Sequence, residues 1–91
     1  MARIAKHVTF KGRVQGVGFR FTALSVANQY KLSGYVRNLP NGTVEMLAQG
    51  NPENIDACID DISANYPSNI TEVNVEETSV DPDRKVFKIT F

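Results

Sequence analysis

Residues 12–20 have the composition of a loop that binds an anion. They read GRVQGVGFR, and a helical pattern begins at the last of them. The start of a helix leaves about four backbone N–H groups without an acceptor. This segment contains no Ser, Thr, Asp or Asn to cap them. Because glycines allow successive N–H groups to converge on one ligand, the segment is typical of an anion site.

Arg20 strengthens this interpretation. A cation is unfavourable beside the N-terminus of a helix unless an anion lies between the two. The planar guanidinium fork suits a phosphate, which accepts two parallel hydrogen bonds. The pattern therefore favours phosphate binding, while a plain glycine-rich connector with a solvated arginine stays open as the alternative.

The other reactive residue types do not form a familiar constellation. Phe21 stands where a dinucleotide fingerprint would have its third glycine, and no Gly-Lys-Ser/Thr follows as in a Walker A loop. One histidine, His7, and one cysteine, Cys58, cannot make an N/S zinc site. We interpret His7 as a partly exposed strand residue, Cys58 as a core thiol, and Asp60 with Asp61 as a solvated helix face.

Seven elements in the order β-α-β-β-α-β-β are predicted to position the loop. Alternation predicts strands near residues 4–10, 35–39, 43–49, 70–75 and 87–91, and 3–4 spacing predicts helices near 20–30 and 51–65. The second helix has a capping side chain in Asn51, followed by proline and an acid. Residues 39–42, LPNG, are typical of a tight turn.

This order fits an α+β, ferredoxin-like split βαβ fold, with two helices on one face of an antiparallel sheet. The first and second strands would run parallel, about 10 Å apart, with the third between them. Their C-terminal ends would share one sheet edge, which brings the glycine loop close to Asn38. The position of the last strand stays open. We expect Phe91 to be docked by burial, and Phe19 and Phe21 to anchor the first helix in the core.

Composition narrows the class of protein. Ninety-one residues allow one domain, 1–91, and one cysteine excludes an internal disulfide framework. No apolar run approaches the length of a membrane span, and the first residues lack a signal-peptide core, so we expect a cytoplasmic protein and, by default, a monomer.

The charged residues are unevenly distributed along the chain. Residues 1–44 hold seven Lys and Arg and no acid, whereas residues 45–91 hold ten acids and three Lys and Arg. The split indicates either an anion-binding face or charges that folding interleaves.

Two segments resemble the signatures of the acylphosphatase family. Residues 12–20, GRVQGVGFR, look like the first signature, and residues 34–38, GYVRN, followed by 41–45, NGTVE, look like the second. The likeness covers the whole chain, and the two signatures together are specific. It implies hydrolysis of the carboxyl–phosphate bond of acyl phosphates without metal or cofactor, with inorganic phosphate or sulfate as a product-like ligand.

The resemblance also implies residue roles. Arg20 and a run of loop amides would hold the phosphoryl group, and Asn38 would orient the attacking water. The amides belong to Gln15, Gly16, Val17, Gly18, Phe19 and Arg20. Such a site needs little acid catalysis, because the leaving group is a carboxylate, and we expect the water's proton to pass to a phosphate oxygen of the substrate. Whether Arg13 contacts substrate stays open.

Two other functions compete with this one. RNA-recognition motifs share the βαββαβ order, but their third strand carries exposed aromatics, and residues 43–48, TVEMLA, have none. We therefore expect no nucleic-acid partner. The second alternative is a catalytically idle anion-binding or interaction domain of the same fold, which would not need both Arg20 and Asn38.

Overall fold

A computed structural model describes residues 2–91. Seven elements follow one another along the chain: β1 (Ile4–Gly12), α1 (Phe19–Gln29), β2 (Ser33–Asn38), β3 (Val44–Gly50), α2 (Pro52–Asn65), β4 (Ile70–Thr78) and β5 (Phe87–Ile89). The predicted element order is confirmed. Within the described residues, no helix is both long and apolar enough to cross a membrane.

The sheet has the strand order β4-β1-β3-β2-β5. Both β1 and β2 pair antiparallel with β3, so they run parallel to each other on either side of it, as expected. The short β5 pairs parallel with β2. The ferredoxin-like arrangement is confirmed, but the sheet is mixed rather than antiparallel. The alternation of Phe87 and Ile89 predicts a strand and carries no information about its direction, which is why the sequence left its position open.

Both helices cover the same face of the sheet. α1 packs on β2 and β5, and α2 packs on β3 and β1. The core between the layers includes Val8 and Phe10 from β1, Met46 from β3 and Ile55 from α2, all fully buried. The burial of Cys58 is also confirmed.

Two aromatic predictions are wrong. Phe19 is buried, but Phe21 is 70% exposed, because two positions along a helix correspond to about 200° and turn it away from the stripe that includes Phe19 and Ala23. Phe91 is 95% exposed instead of docked by burial, since it lies beyond the end of the edge strand β5.

Candidate active site

The register of the sheet brings the glycine loop and Asn38 to one edge. Val44 of β3 pairs with Phe10 of β1 on one side and with Asn38 of β2 on the other. The C-terminal ends of the two parallel strands are therefore level with each other. Residues 13–18 leave the end of β1 at this edge, and Asn38 is the last residue of β2.

The loop leaves a run of backbone amides without protein partners. Gly18 is the N-cap of α1 in the left-handed region, with φ of 76°, and no side chain of the described residues caps the helix. Gly16 has a φ of 77°. The first backbone hydrogen bond runs from the Thr22 N–H to the Gly18 carbonyl, at 3.1 Å. Within residues 2–91, the N–H groups of residues 15–20 donate to no protein acceptor.

The start of α2 shows what an ordinary helix cap looks like in the same chain. The Asn51 side chain accepts a hydrogen bond from the Glu53 N–H at 2.9 Å. The predicted cap is confirmed. The uncapped start of α1 is therefore a property of its own loop, and it leaves donors free for a ligand.

The loop is held from outside by side chains whose contacts the sequence did not predict. The Gln15 carboxamide donates to the Leu39 carbonyl at 2.8 Å and to the Thr43 carbonyl at 2.9 Å. These bonds fasten the loop to the β2–β3 turn that follows Asn38. Gln15 therefore positions the two halves of the site relative to each other, in addition to carrying one of the free amides.

Tyr66 and Asn69 fasten the other parts of the loop. The Tyr66 hydroxyl donates to the Val17 carbonyl at 3.2 Å and lies 2.9 Å from the Thr22 hydroxyl. Its ring packs on Phe19, with centroids 4.9 Å apart. Asn69 forms two hydrogen bonds with the backbone of Arg13. Its carbonyl accepts from the Arg13 N–H at 2.9 Å, and its side-chain amide donates to the Arg13 carbonyl at 3.0 Å. Nothing in the sequence pattern marked these two residues, because their partners lie about fifty positions away.

The loop and β2 enclose a cavity of about 130 Å³. It brings together Arg20 and Asn38, which were predicted to act together, with parts of the loop. The lining consists of Val14, Gly16, Gly18, Phe19, Arg20, Phe21 and Asn38. Arg13 does not line it. No carboxylate, imidazole or thiol contributes to this wall, so an anion would meet amides, one cation and a carboxamide.

The cations in the first half of the sequence fall into two groups in the structure, those that pair with a carboxylate and those that do not. Several basic residues of the first half pair with acids of the second, which is the interleaving considered above. The pairs are Lys6 with Asp56 at 2.9 Å, Lys11 with Glu72 at 3.5 Å and Arg37 with Glu45 at 2.5 Å. Arg20 pairs with no carboxylate of the described residues. Its positive charge is therefore available to the cavity.

The remaining titratable candidates lie elsewhere. His7 is half-buried on the open face of the sheet, 2.7 Å from Glu45. Burial opposes ionisation of Glu45, but hydrogen bonds from His7 and Arg37 outweigh it and lower its pKa. Burial raises the pKa of the Cys58 thiol to about 12, so it stays protonated at neutral pH. Neither His7 nor Cys58 lines the cavity.

These features define a class of protein: a ferredoxin-like α/β sandwich whose first strand–helix loop presents free amides beside an arginine and an asparagine. The family model that matches the sequence is Acylphosphatase, over residues 6–89. The chain belongs to the acylphosphatase family.

Individual relatives agree over nearly the whole chain. An acylphosphatase of Geobacillus thermodenitrificans is 40% identical over 86 residues, which cover 93% of this chain and 92% of that protein. The crystal structure of acylphosphatase from Bacillus subtilis superimposes with a TM-score of 0.89 at 30% identity, covering 97% of this chain and 99% of that one. An acylphosphatase structure from Coxiella burnetii gives a TM-score of 0.87 at 34% identity, covering 97% and 93%.

Proposed function

We propose that the protein hydrolyses the carboxyl–phosphate bond of small acyl phosphates, with the phosphoryl group held in the cavity between the glycine loop and β2. The observation that carries this proposal is the run of six amides, residues 15–20, that have no acceptor among the described residues and adjoin an arginine without a carboxylate partner. Such an array suits the equatorial oxygens of a phosphoryl group.

Arg20 and the loop amides stabilise the negative charge on the phosphoryl oxygens. An acyl phosphate enters as a dianion, and its oxygens keep that charge as the phosphorus–oxygen bond loosens. Preorganised amides and a guanidinium stabilise it without reorganising during the reaction. A hydrogen bond from a charged donor is about twice as strong as a neutral one, so Arg20 contributes most in this partly exposed site.

Asn38 acts on the nucleophile. Its carboxamide faces the cavity from the end of β2, opposite the loop, where it can hold one water in line with the leaving carboxylate. The water oxygen bonds to phosphorus, and the electron pair of the breaking bond leaves with the carboxylate. Both water protons end on phosphate oxygens, so an acyl phosphate dianion and water give a carboxylate and dihydrogen phosphate.

No titrating protein group is needed in this scheme. The leaving carboxylate is a weak base and needs no general acid. The cavity wall offers neither a histidine nor an acid in any case. We therefore expect kcat/KM to show no protein pKa between about pH 5.5 and 8, the interval in which an ordinary histidine titrates.

We also propose that the protein is a monomer, and the two edge strands of the sheet support this. Edge strand β4 carries three exposed glutamates, Glu72, Glu76 and Glu77, and edge strand β5 is three residues long. Charged or very short edges oppose strand-to-strand association. The free, buried Cys58 fits the reducing cytoplasm that we propose as the location. Size-exclusion chromatography with light scattering tests the monomer, and a mass near 20 kDa instead of 10.1 kDa contradicts it.

Hydrolysis of benzoyl phosphate in excess EDTA tests the function. We expect turnover by the wild type to survive chelation, and Arg20→Ala and Asn38→Ala each to lose about a hundredfold or more in kcat/KM. Both side chains are partly exposed, so both variants should keep the wild-type circular dichroism and unfolding midpoint.

The outcomes separate the alternatives. A folded wild type that binds phosphate without turnover would indicate the idle anion-binding domain. Activity that disappears with EDTA and returns with a divalent cation would contradict the metal-free scheme. Arg13→Ala is the matched control, because this nearby arginine does not line the cavity, and we expect its kcat/KM to stay within about threefold of wild type.

A further inference from the structure

One large apolar side chain beside the site has no packing role. Phe91 is 95% exposed, so it gains almost nothing from burial. Its ring nevertheless has a specific partner: the Cζ atom of Arg20 lies over it, 5.0 Å from the ring centroid. That distance is within the range of a cation–π contact, which extends to about 6 Å.

The topology explains how a residue at the far end of the sequence reaches this point. β5 runs parallel to β2, with Val36 opposite Ile89, so two positions further on Phe91 is level with Asn38. The Thr90 N–H donates to the Val36 carbonyl at 2.9 Å, which continues the pairing beyond β5. α1 packs against β5, which brings Arg20 at the start of that helix to the same edge.

A contact of this kind would limit the freedom of the Arg20 side chain before phosphate binds. A free arginine side chain carries about 2 kcal/mol of rotamer entropy, and phosphate binding must overcome it. A carboxylate partner would fix the guanidinium but would also compete with phosphate for its N–H groups. The π face of a phenyl ring attracts the cation without accepting those N–H groups in the manner of a carboxylate.

We propose that Phe91 is a positioning residue, which holds the Arg20 guanidinium at the cavity by a cation–π contact and so raises its affinity for the phosphoryl group. This inference rests on the proposed function of the site. Phe91 acts through Arg20, so its contribution does not depend on the acyl group of the substrate.

The test compares Phe91→Ala and Phe91→Trp with the wild type. We expect Phe91→Ala to weaken inorganic phosphate binding about two- to fivefold, the size of an exposed cation–π contact. KM should rise by a similar factor for acetyl phosphate and benzoyl phosphate alike. Phe91→Trp should restore wild-type values, because indole is the stronger cation–π partner. The unfolding midpoint should not move, since the ring is exposed.

Val86→Ala is the control. Val86 is also a large hydrophobic residue that is mostly exposed, at 64%, and it directly precedes β5, but it does not line the cavity. We expect the phosphate affinity of this variant to equal that of the wild type. In an Arg20→Ala background, replacing Phe91 by Ala should have no further effect on phosphate binding, as a double-mutant cycle requires of a residue that acts through another.

Several results would overturn the inference. Unchanged phosphate binding in Phe91→Ala would do so, as would a KM effect confined to benzoyl phosphate, because that pattern means direct contact with the acyl group. An equal loss in Val86→Ala, or an undiminished loss in the Arg20→Ala background, would also contradict it. If instead the wild type neither binds phosphate nor hydrolyses acyl phosphates, the proposed function itself fails.

Discussion

Arg20 and Asn38 line the cavity from different elements, and neither is brought there by its neighbours in sequence. The sheet register brings their elements to one edge, and hydrogen bonds from polar side chains to distant backbone carbonyls, above all those of Gln15 and Tyr66, hold the loop in place there. A displacement of about 1 Å in such a site can reduce the rate strongly. Residues that never touch the phosphoryl group should therefore affect activity.

Gln15→Glu tests the bond between the loop and the β2–β3 turn. The substitution replaces an amide donor by a carboxylate that faces the Leu39 and Thr43 carbonyls, so two attractive contacts become repulsive. We expect kcat/KM with benzoyl phosphate to fall about tenfold or more. Asn65→Asp is the control, because its exposed amide donates to a carbonyl within α2 and should change kcat/KM little. Equal activity of Gln15→Glu and wild type would contradict this role.

Tyr66→Phe tests the contact to the Val17 carbonyl. The ring keeps its packing on Phe19, but the hydrogen bonds to Val17 and Thr22 are lost. We expect a loss of about 1 kcal/mol in the free energy of unfolding by urea, and a severalfold weaker phosphate affinity. Tyr35→Phe is the control, since the Tyr35 ring contacts Arg84 through its face. A phosphate affinity as high as that of the control would show that this anchor is dispensable.

At the scale of elements, the site depends on a helix that begins without a cap. The same chain caps α2 with Asn51 and leaves α1 to Gly18, so the difference is local. An uncapped helix start costs stability, because capping side chains typically contribute about 1 kcal/mol. The missing cap that costs stability is therefore the same feature that leaves N–H groups free for the proposed ligand.

Gly16→Ala separates loop geometry from stability. The new Cβ would meet no atom within 4 Å, so its effect comes from the φ of 77°, which costs a residue with a Cβ about 1–2 kcal/mol. We expect that loss together with phosphate affinity reduced about tenfold or more, as the amides diverge. Asn51→Ala should lose about 1 kcal/mol with unchanged phosphate affinity. If both variants bind phosphate equally well, the loop conformation is not what creates the site.

Much at this scale is predictable from local patterns, and some of it is not. The alternation in β1, the Asn51 cap and the Leu39–Gly42 turn, closed by a 3.1 Å hydrogen bond, are encoded by neighbouring residues and are confirmed. The parallel direction of β5 and the exposure of Phe21 are set by tertiary packing. The anchoring by Asn69 joins positions 56 residues apart, which no local pattern reports.

For the whole molecule, folding pairs part of the split charge and leaves Arg20 without a carboxylate partner among residues 2–91. Lys6, Lys11 and Arg37 are matched with acids from the other half of the chain, whereas Arg20 faces a cavity without a carboxylate. Exposed pairs contribute little to stability, typically below about 1 kcal/mol each. These pairs offset the charge of the three paired cations, whereas no carboxylate of the described residues pairs with Arg20 beside the cavity.

The pH dependence of stability should report the most buried of these acids. Hydrogen bonds from His7 and Arg37 lower the pKa of Glu45 below its ordinary 4.5, so its ionised form favours the folded state. This contribution is complete above about pH 4.5 and is lost as the pH falls through the lowered pKa. In urea titrations, the stability difference between wild type and Glu45→Gln should shrink below that pH. The exposed Glu72→Gln is the control, and a pH-independent difference for Glu45→Gln would contradict the pKa direction.

The proposed function requires the free amides of residues 15–20 to bind the phosphoryl group. Titrating inorganic phosphate into ¹⁵N-labelled protein and following each amide by NMR tests it most directly. We predict saturable downfield shifts of these six N–H resonances, with a single dissociation constant that also fits competitive inhibition of benzoyl phosphate hydrolysis. If phosphate inhibits the reaction while these resonances stay in place and others move, the phosphoryl group binds elsewhere and the loop is not the phosphate site.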